Sequence, residues 1–177
     1  MSAIDLFGDT RAARRGVSSH ERSLDGGDQW LTPPEIVSAL GSFDLDPCAP
    51  IVRPYSTAAR HYTIEDNGLR QPWAGRVWLN PPYANAGAWM RRMSEHGNGV
   101  ALLFARTETR VWQDWIWPHA SAFLFMRGRV TFHLSNGVPA KSPAGAPSVF
   151  IAYGAANVRA LRDSGIPGHI IENKARS

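Results

Sequence analysis

Residues 77–83 read Val-Trp-Leu-Asn-Pro-Pro-Tyr, an apolar run that stops on two consecutive prolines. Proline fixes φ and has no N–H to donate, and the residue before it is driven to extended backbone. A strand over Arg76–Leu79 must therefore end at Asn80, because neither a helix nor a sheet ladder can continue through Pro81 and Pro82. Asn80 and the Pro81 carbonyl are left at the strand exit with little freedom, both able to point outward. Two acceptors held side by side suit the two hydrogens of an exocyclic amino group. Tyr83 adds a flat face for an aromatic ring.

The rest of the chain alternates strand and helix signals. Thr32, followed by Pro33 and by Glu35, reads as the N-cap of a helix ending near Leu40 and Gly41. Phe43-Asp44-Leu45-Asp46 is a strand end closed by Pro47, residues 48–60 read as loop, and short structure is expected around 61–64. Ala86–His96 is a helix with Trp89, Met90 and Met93 on its apolar side. Val100–Phe104 is a continuous apolar strand of the kind found inside a sheet, and Arg110–Trp117 is helical up to Pro118. Strands follow at Ala122–Met126, Arg129–His133 and Ser148–Tyr153, with a Gly/Pro/Ser-rich loop over Asn136–Pro147. This order predicts an α/β layered fold with a mixed, mostly parallel sheet. Ligands in such folds sit at the carboxyl ends of the strands, where the spacing puts both Asp46 and Asn80. The expected organisation is a mobile arm over 1–27 with a short helix near Asp9–Arg15, one domain over 28–158, and a C-terminal tail over 159–177.

Composition narrows the class. At 177 residues the chain suits one domain, and no apolar run reaches the roughly 20 residues of a membrane span. The N-terminus lacks the apolar stretch of a secretion signal. A single cysteine, Cys48, excludes an internal disulfide, and the six histidines show no metal-ligand spacing, so no metal is expected. A cytoplasmic protein fits. The formal charge of +4 is a weak sign of nucleic-acid binding, because residues 28–158 hold eleven basic and nine acidic side chains.

Four segments now agree in order: Trp30-Leu-Thr-Pro-Pro, Phe43-Asp-Leu-Asp-Pro-Cys-Ala, Gly75-Arg-Val-Trp-Leu-Asn-Pro-Pro-Tyr and Arg127-Gly-Arg-Val-Thr-Phe132. Together they resemble the phage-type DNA N-6-adenine methyltransferases, the small Dam-like family, over roughly residues 28–153. The resemblance implies a Rossmann-like class I fold and S-adenosylmethionine as methyl donor. It also implies transfer to the adenine amino nitrogen of double-stranded DNA in a bacterial host, from a phage or prophage gene. It matches Asn80, Pro81, Pro82 and Tyr83 to the catalytic loop, and Asp46, Pro47, Cys48 and Ala49 to the start of the cofactor loop. Trp30, Thr32 and Pro33 match a segment flanking the methionine end of the cofactor. Glu65 and Asp66 stand where acidic residues take the ribose hydroxyls or the adenine amino group, although a solvated turn explains them equally well. The pattern departs from the wider class in one place: Ala49 is followed by Pro50-Ile51-Val52-Arg53, with no Gly-x-Gly. The stretch from Asp46 to Asn80 is also short, which leaves one strand–helix unit missing or degenerate.

A base inside a duplex must be flipped out to reach such a pocket. Tyr83 is then the first stacking candidate and Phe132 the second, with a core position as the alternative for Phe132. Arg127, Arg129, Arg106 and Arg110 are candidates for contact with DNA. The same acceptor pair could instead serve a glutamine amide or RNA methyltransferase. A non-catalytic DNA-binding protein on a degenerate methyltransferase fold is the third reading.

Overall fold

The computed structural model describes residues 30–173. The arm over 1–27, its expected helix at 9–15, and the last four residues lie outside them. Seven strands form one sheet in the order β2-β1-β3-β4-β6-β5-β7. They are β1 (Leu45–Asp46), β2 (Arg60–His61), β3 (Val77–Leu79), β4 (Gly99–Phe104), β5 (Ala122–Met126), β6 (Ser148–Tyr153) and β7 (Gly168–Glu172). β1 to β4 run parallel, while β6 lies antiparallel between β4 and β5, and β7 pairs antiparallel with β5. The sheet is therefore mixed, as expected, but not mostly parallel. The three antiparallel pairings are the longer ones and dominate the ladder.

Alternation along the strands covers both faces of the sheet with apolar side chains. Val77, Leu79, Ala101, Leu103, Phe123, Val149 and Ile151 face one layer, made by α2 (Ala86–His96) and a π-helical turn at Trp112–Ile116. Trp78, Val100, Leu102, Leu124, Phe150 and Ala152 face the other, with Val37 and Leu40 from the α1 region (Pro34–Ala39) and Val158 and Leu161 from α3 (Ala155–Asp163). At the amino edge Arg76 ties the α1 segment to α3 within this second layer. Its guanidinium donates to Asn157 Oδ1 at 2.6 Å and to the Ser42 and Leu40 carbonyls at 2.8 Å, and it lies over the Phe43 ring.

Three local expectations change and a fourth is met. The α1 cap position belongs to Pro33, not Thr32, with Pro34 at the first helical position and no side-chain cap. Residues 129–133 form no strand of their own, because His133 makes only single-residue bridges, to Leu31 and Pro139. The segment from 155 to 173, which overlaps the expected tail, contributes α3 and the edge strand β7. Finally, no helix lies between β1 and β3. Thirteen residues of loop and a series of turns make those two connections, and this is where the expected strand–helix unit is degenerate.

The chain leaves β1 toward β2 on one side, then crosses back to β3 and β4 on the other. Neighbouring strands that send their connections in opposite directions leave a crevice at their carboxyl ends. That crevice lies between β1 and β3, at Asp46 and Asn80.

Candidate active site

A cavity of about 580 Å³ opens at this point, within the range of roughly 300–1,000 Å³ usual for small-molecule sites. Its wall brings together Trp30, Thr32, Asp46, Pro47, Cys48, Ala49, Asn80, Pro81, Pro82 and Tyr83 from the sequence-derived set. Thr57, Ile64, Asn67, Gly68 and Trp89 add to it.

The β3 side is held from several directions. Asn80 Nδ2 donates to the Trp30 carbonyl at 3.0 Å. Because that carbonyl can only accept, the amide is oriented with Nδ2 toward Trp30 and Oδ1 turned away from it. The Asn80 carbonyl accepts from Cys48 Sγ at 3.4 Å, which stitches the exits of β1 and β3 together. Tyr83 stacks on Phe104 at the carboxyl end of β4, with centroids 4.3 Å apart and planes 14° from parallel. Pro82 precedes a short 3₁₀ turn (Tyr83–Asn85) that runs directly into α2, so the loop is continuous with a rigid element.

The β1 side is more polar. Asp46 is buried, accepts from Cys48 N at 3.1 Å through Oδ1, and accepts from Thr57 Oγ1 at 2.5 Å through Oδ2. Burial pushes its carboxyl up from 3.8 to about 6, and the two hydrogen bonds and the Arg53 charge pull the other way. The Thr57 N–H in turn donates to His61 Nε2 at 3.3 Å. Burial, with the Arg53 charge, lowers the His61 pKa, which keeps that nitrogen an acceptor. Burial and the neighbouring Asp46 push the Cys48 thiol well up, so it stays neutral and acts as a weak donor rather than a nucleophile. Thr32 is 2% exposed and lines the cavity, yet its hydroxyl has no partner among the described residues. A buried hydroxyl without a partner costs about 1–3 kcal/mol, so a polar ligand atom is the natural complement.

A glycine from elsewhere in the chain does pack against the segment after Asp46. Gly68 packs on the carbonyl of Pro47, so closely that a Cβ there would collide with it. The turn that carries Gly68 also holds Asn67, at φ 54°. Asn67-Gly68 is a turn signal present in the sequence, whereas its approach to Pro47 depends on the fold. Thr57 had no local signal, since it lies in a loop eleven residues from Asp46.

Other candidates sit elsewhere. Pro33 is buried at the start of α1 and does not line the cavity. Glu65 and Asp66 are exposed and outside it. Asp66 caps its own turn, accepting from Thr63 N at 2.8 Å and Thr63 Oγ1 at 3.0 Å, and these bonds lower its pKa. Phe132 is 6% exposed within the core layer under α1 and α3, so it does not offer a face for stacking. Arg106, Arg110, Arg127 and Arg129 are exposed and follow the carboxyl ends of β4 and β5, on the edge where the cavity opens. Arg129 is already engaged, donating to the Ala144 and Gly145 carbonyls at 3.2 and 3.1 Å. Among the described residues no group of His, Cys, Asp and Glu could hold a metal, and no helix is long and apolar enough to cross a membrane.

A mixed sheet flanked by helices, with an Asn-Pro-Pro-Tyr loop and a largely apolar cavity at its switch point, defines an α/β protein with a cleft of small-molecule size at its strand ends. Its family is shown by direct comparison: the model for DNA N-6-adenine-methyltransferase (Dam) matches residues 19–154, and the chain belongs to that family. Adenine N6 methylation of DNA is therefore the general activity, with DNA as the implied substrate and dependence on S-adenosylmethionine as the family's general property. No curated protein and no solved structure matched the chain.

Proposed function

We propose that this chain transfers a methyl group from S-adenosylmethionine to the N6 amino group of an adenine flipped out of double-stranded DNA. The observation that carries the proposal is the orientation of Asn80, whose amide nitrogen is committed to Trp30 O while Oδ1 is left as an acceptor beside the cavity. The Rossmann-like class I description is supported by the switch-point crevice. The phage-type resemblance supports a gene of phage or prophage origin acting in the cytoplasm of a bacterial host.

The donor fits the residues present. The unpartnered hydroxyl of Thr32, the buried Asp46 carboxyl and the apolar walls from Ile51, Ile64 and Trp89 would hold a molecule with polar and flat apolar parts. Pro47, Cys48 and Ala49 would contribute backbone and small side chains beside them. When bound, S-adenosylmethionine supplies an electrophilic methyl group on a sulfonium.

The adenine amino nitrogen is a poor nucleophile, because its lone pair is delocalised into the ring. Asn80 Oδ1 and the Pro81 carbonyl each accept one of its hydrogens. That favours a pyramidal nitrogen with the lone pair turned toward the donor. Positive charge grows on this nitrogen as the bond forms, so both acceptors bind the transition state more strongly than the ground state, and the charge is discharged when one of the two N–H protons is lost to solvent. Pro82 fixes the loop, and Tyr83, braced by Phe104, stacks on the base. Arg106, Arg110 and Arg127 neutralise phosphates along the same edge. No side-chain nucleophile is needed.

Incubation of the full chain with methyl-labelled donor and duplex DNA tests this reading. Label in N6-methyladenine is the expected result. Label only in protein glutamine or RNA would overturn the substrate, and DNA binding without donor binding would mark a non-catalytic protein.

A further inference from the structure

Three chain segments meet at the stretch that touches Asn80. Leu31 and His133 exchange both backbone hydrogen bonds, Leu31 N to His133 O at 2.9 Å and His133 N to Leu31 O at 2.8 Å. The third segment brings Tyr55, whose hydroxyl donates to Thr32 O at 2.9 Å and lies 3.3 Å from His133 Nδ1. A hydroxyl has one proton. With that proton given to Thr32, the His133 ring must supply its own Nδ1–H to the Tyr55 oxygen. Burial and the nearby Glu35 push the Tyr55 hydroxyl up to about 12, so it keeps its proton. Gly137 closes the junction at φ +83°, where a Cβ would come within 2.8 Å of the Pro54 ring.

The junction ends at the Asn80 amide. Trp30 O, the acceptor for Asn80 Nδ2, belongs to the residue just before Leu31. An amide turned the other way would set its oxygen against the Trp30 oxygen. It would also present N–H donors to an amino group that itself donates. The orientation of Asn80 therefore depends on where Trp30 O sits. That position is set by the Leu31–His133 pair and the Tyr55–Thr32 bond on the next two residues.

We propose that Tyr55 and His133 are positioning residues for Asn80, latching the 30–32 segment so that Trp30 O keeps Asn80 Oδ1 toward the substrate amino group. The proposal rests on the reading of Asn80 as the acceptor. It also gives the loop after β5 a role. His133 follows Arg127 and Arg129 on the cavity edge and bridges to Pro139, so a displacement of that loop by DNA reaches Asn80 through the two His133–Leu31 bonds.

Three variants of the full chain test it: Tyr55→Phe, His133→Leu and His133→Asn. The asparagine amide nitrogen stands where Nδ1 stood, so His133→Asn keeps the donor that His133→Leu removes. In the ligand-free protein, nitrogen-edited NMR reads the side-chain amide protons of Asn80. Tyr55→Phe and His133→Leu should shift these signals toward those of a free amide, and His133→Asn should leave them near their wild-type positions. With donor and DNA saturating, the single-turnover rate in Tyr55→Phe should fall about five- to tenfold, the loss of roughly one hydrogen bond, with both dissociation constants within about twofold of wild type. In an Asn80→Ala background, Tyr55→Phe should cost nothing further. Unmoved Asn80 signals, or an equal rate loss with and without Asn80, would overturn the latch. If Tyr55→Phe fails to fold, the His133 pair carries the same comparison. If Asn80→Ala itself keeps the full rate, the acceptor reading fails and the latch falls with it. A wild-type rate in Tyr55→Phe beside a dead Asn80→Ala removes the latch alone.

Discussion

On one side of β4 the sheet is parallel, with strands of three, two and two residues in β3, β1 and β2. On the other side it is antiparallel, with six residues in β6 and five each in β5 and β7. The long ladders bury Phe123, Phe150, Ile151 and Tyr153 almost completely. The short strands stop early, and the chain at their exits builds the cavity: Asp46 and Pro47 at the end of β1, Thr63, Ile64, Asn67 and Gly68 after β2, Asn80 to Tyr83 after β3. The long ladders and the cavity thus lie in different halves of the sheet, and substitutions in each half test how far stability and activity separate.

The largest effect on stability should come from Phe150→Ala in β6. A fully buried phenylalanine cut to alanine costs about 3–5 kcal/mol, read as a lower denaturation midpoint. Methyl transfer per folded molecule should be unchanged, and a loss of turnover in the folded fraction would break the division between halves. Asn80→Ala should do the reverse. Turnover on DNA should fall by about 10²–10³, the scale for one preorganised transition-state partner, with donor affinity by calorimetry nearly unchanged.

Asp46→Asn comes next, and its sign is opposite to that of most carboxylates. The folded state raises the Asp46 carboxyl to about 6 from 3.8, so it keeps a proton that the unfolded chain has already lost. Wild-type unfolding free energy then falls as pH rises through that window. The amide has no proton to lose, so the variant should gain on wild type between about pH 4 and pH 7, by up to about 3 kcal/mol. Parallel stability curves for the two proteins would show that Asp46 is not held this way. The smallest effect is expected from Arg110→Ala. The slope of log K against log salt for DNA binding should drop by about one, with little dependence on sequence. An unchanged slope would remove Arg110 from the DNA face.

Legibility followed the same division. Asn80 to Tyr83 could be read directly, because two prolines act on the backbone within a residue or two and leave few conformations. Most strand and helix positions could be read from the period of their apolar residues, as with Val100–Phe104 and Ala86–His96. The mostly parallel sheet was a misreading, since strand direction depends on which neighbours pair, and a run such as Ser148–Tyr153 looks the same either way. The α3 helix was missed although Val158 and Leu161 repeat at helical spacing. Residues Thr57, Gly68 and Tyr55 belong to the site only through contacts with Asp46, Pro47 and Thr32, ten to twenty-odd residues away. Phe132 went the other way: an aromatic after two arginines suggests base stacking, but the fold turns it into the core.

What the sequence alone determined is local, an Asn-Pro-Pro-Tyr loop at one strand exit and an acidic residue at another, since proline sterics and short-range periodicity need no distant partner. The tertiary structure decided how these are used. It set Asn80 on the cavity wall through Trp30 O, brought Gly68 against the Pro47 carbonyl, and buried Asp46 so that its carboxyl is pushed up to about 6. Each of these is a property of groups far apart in the chain, and only the packed sheet brings them within hydrogen-bonding and van der Waals range.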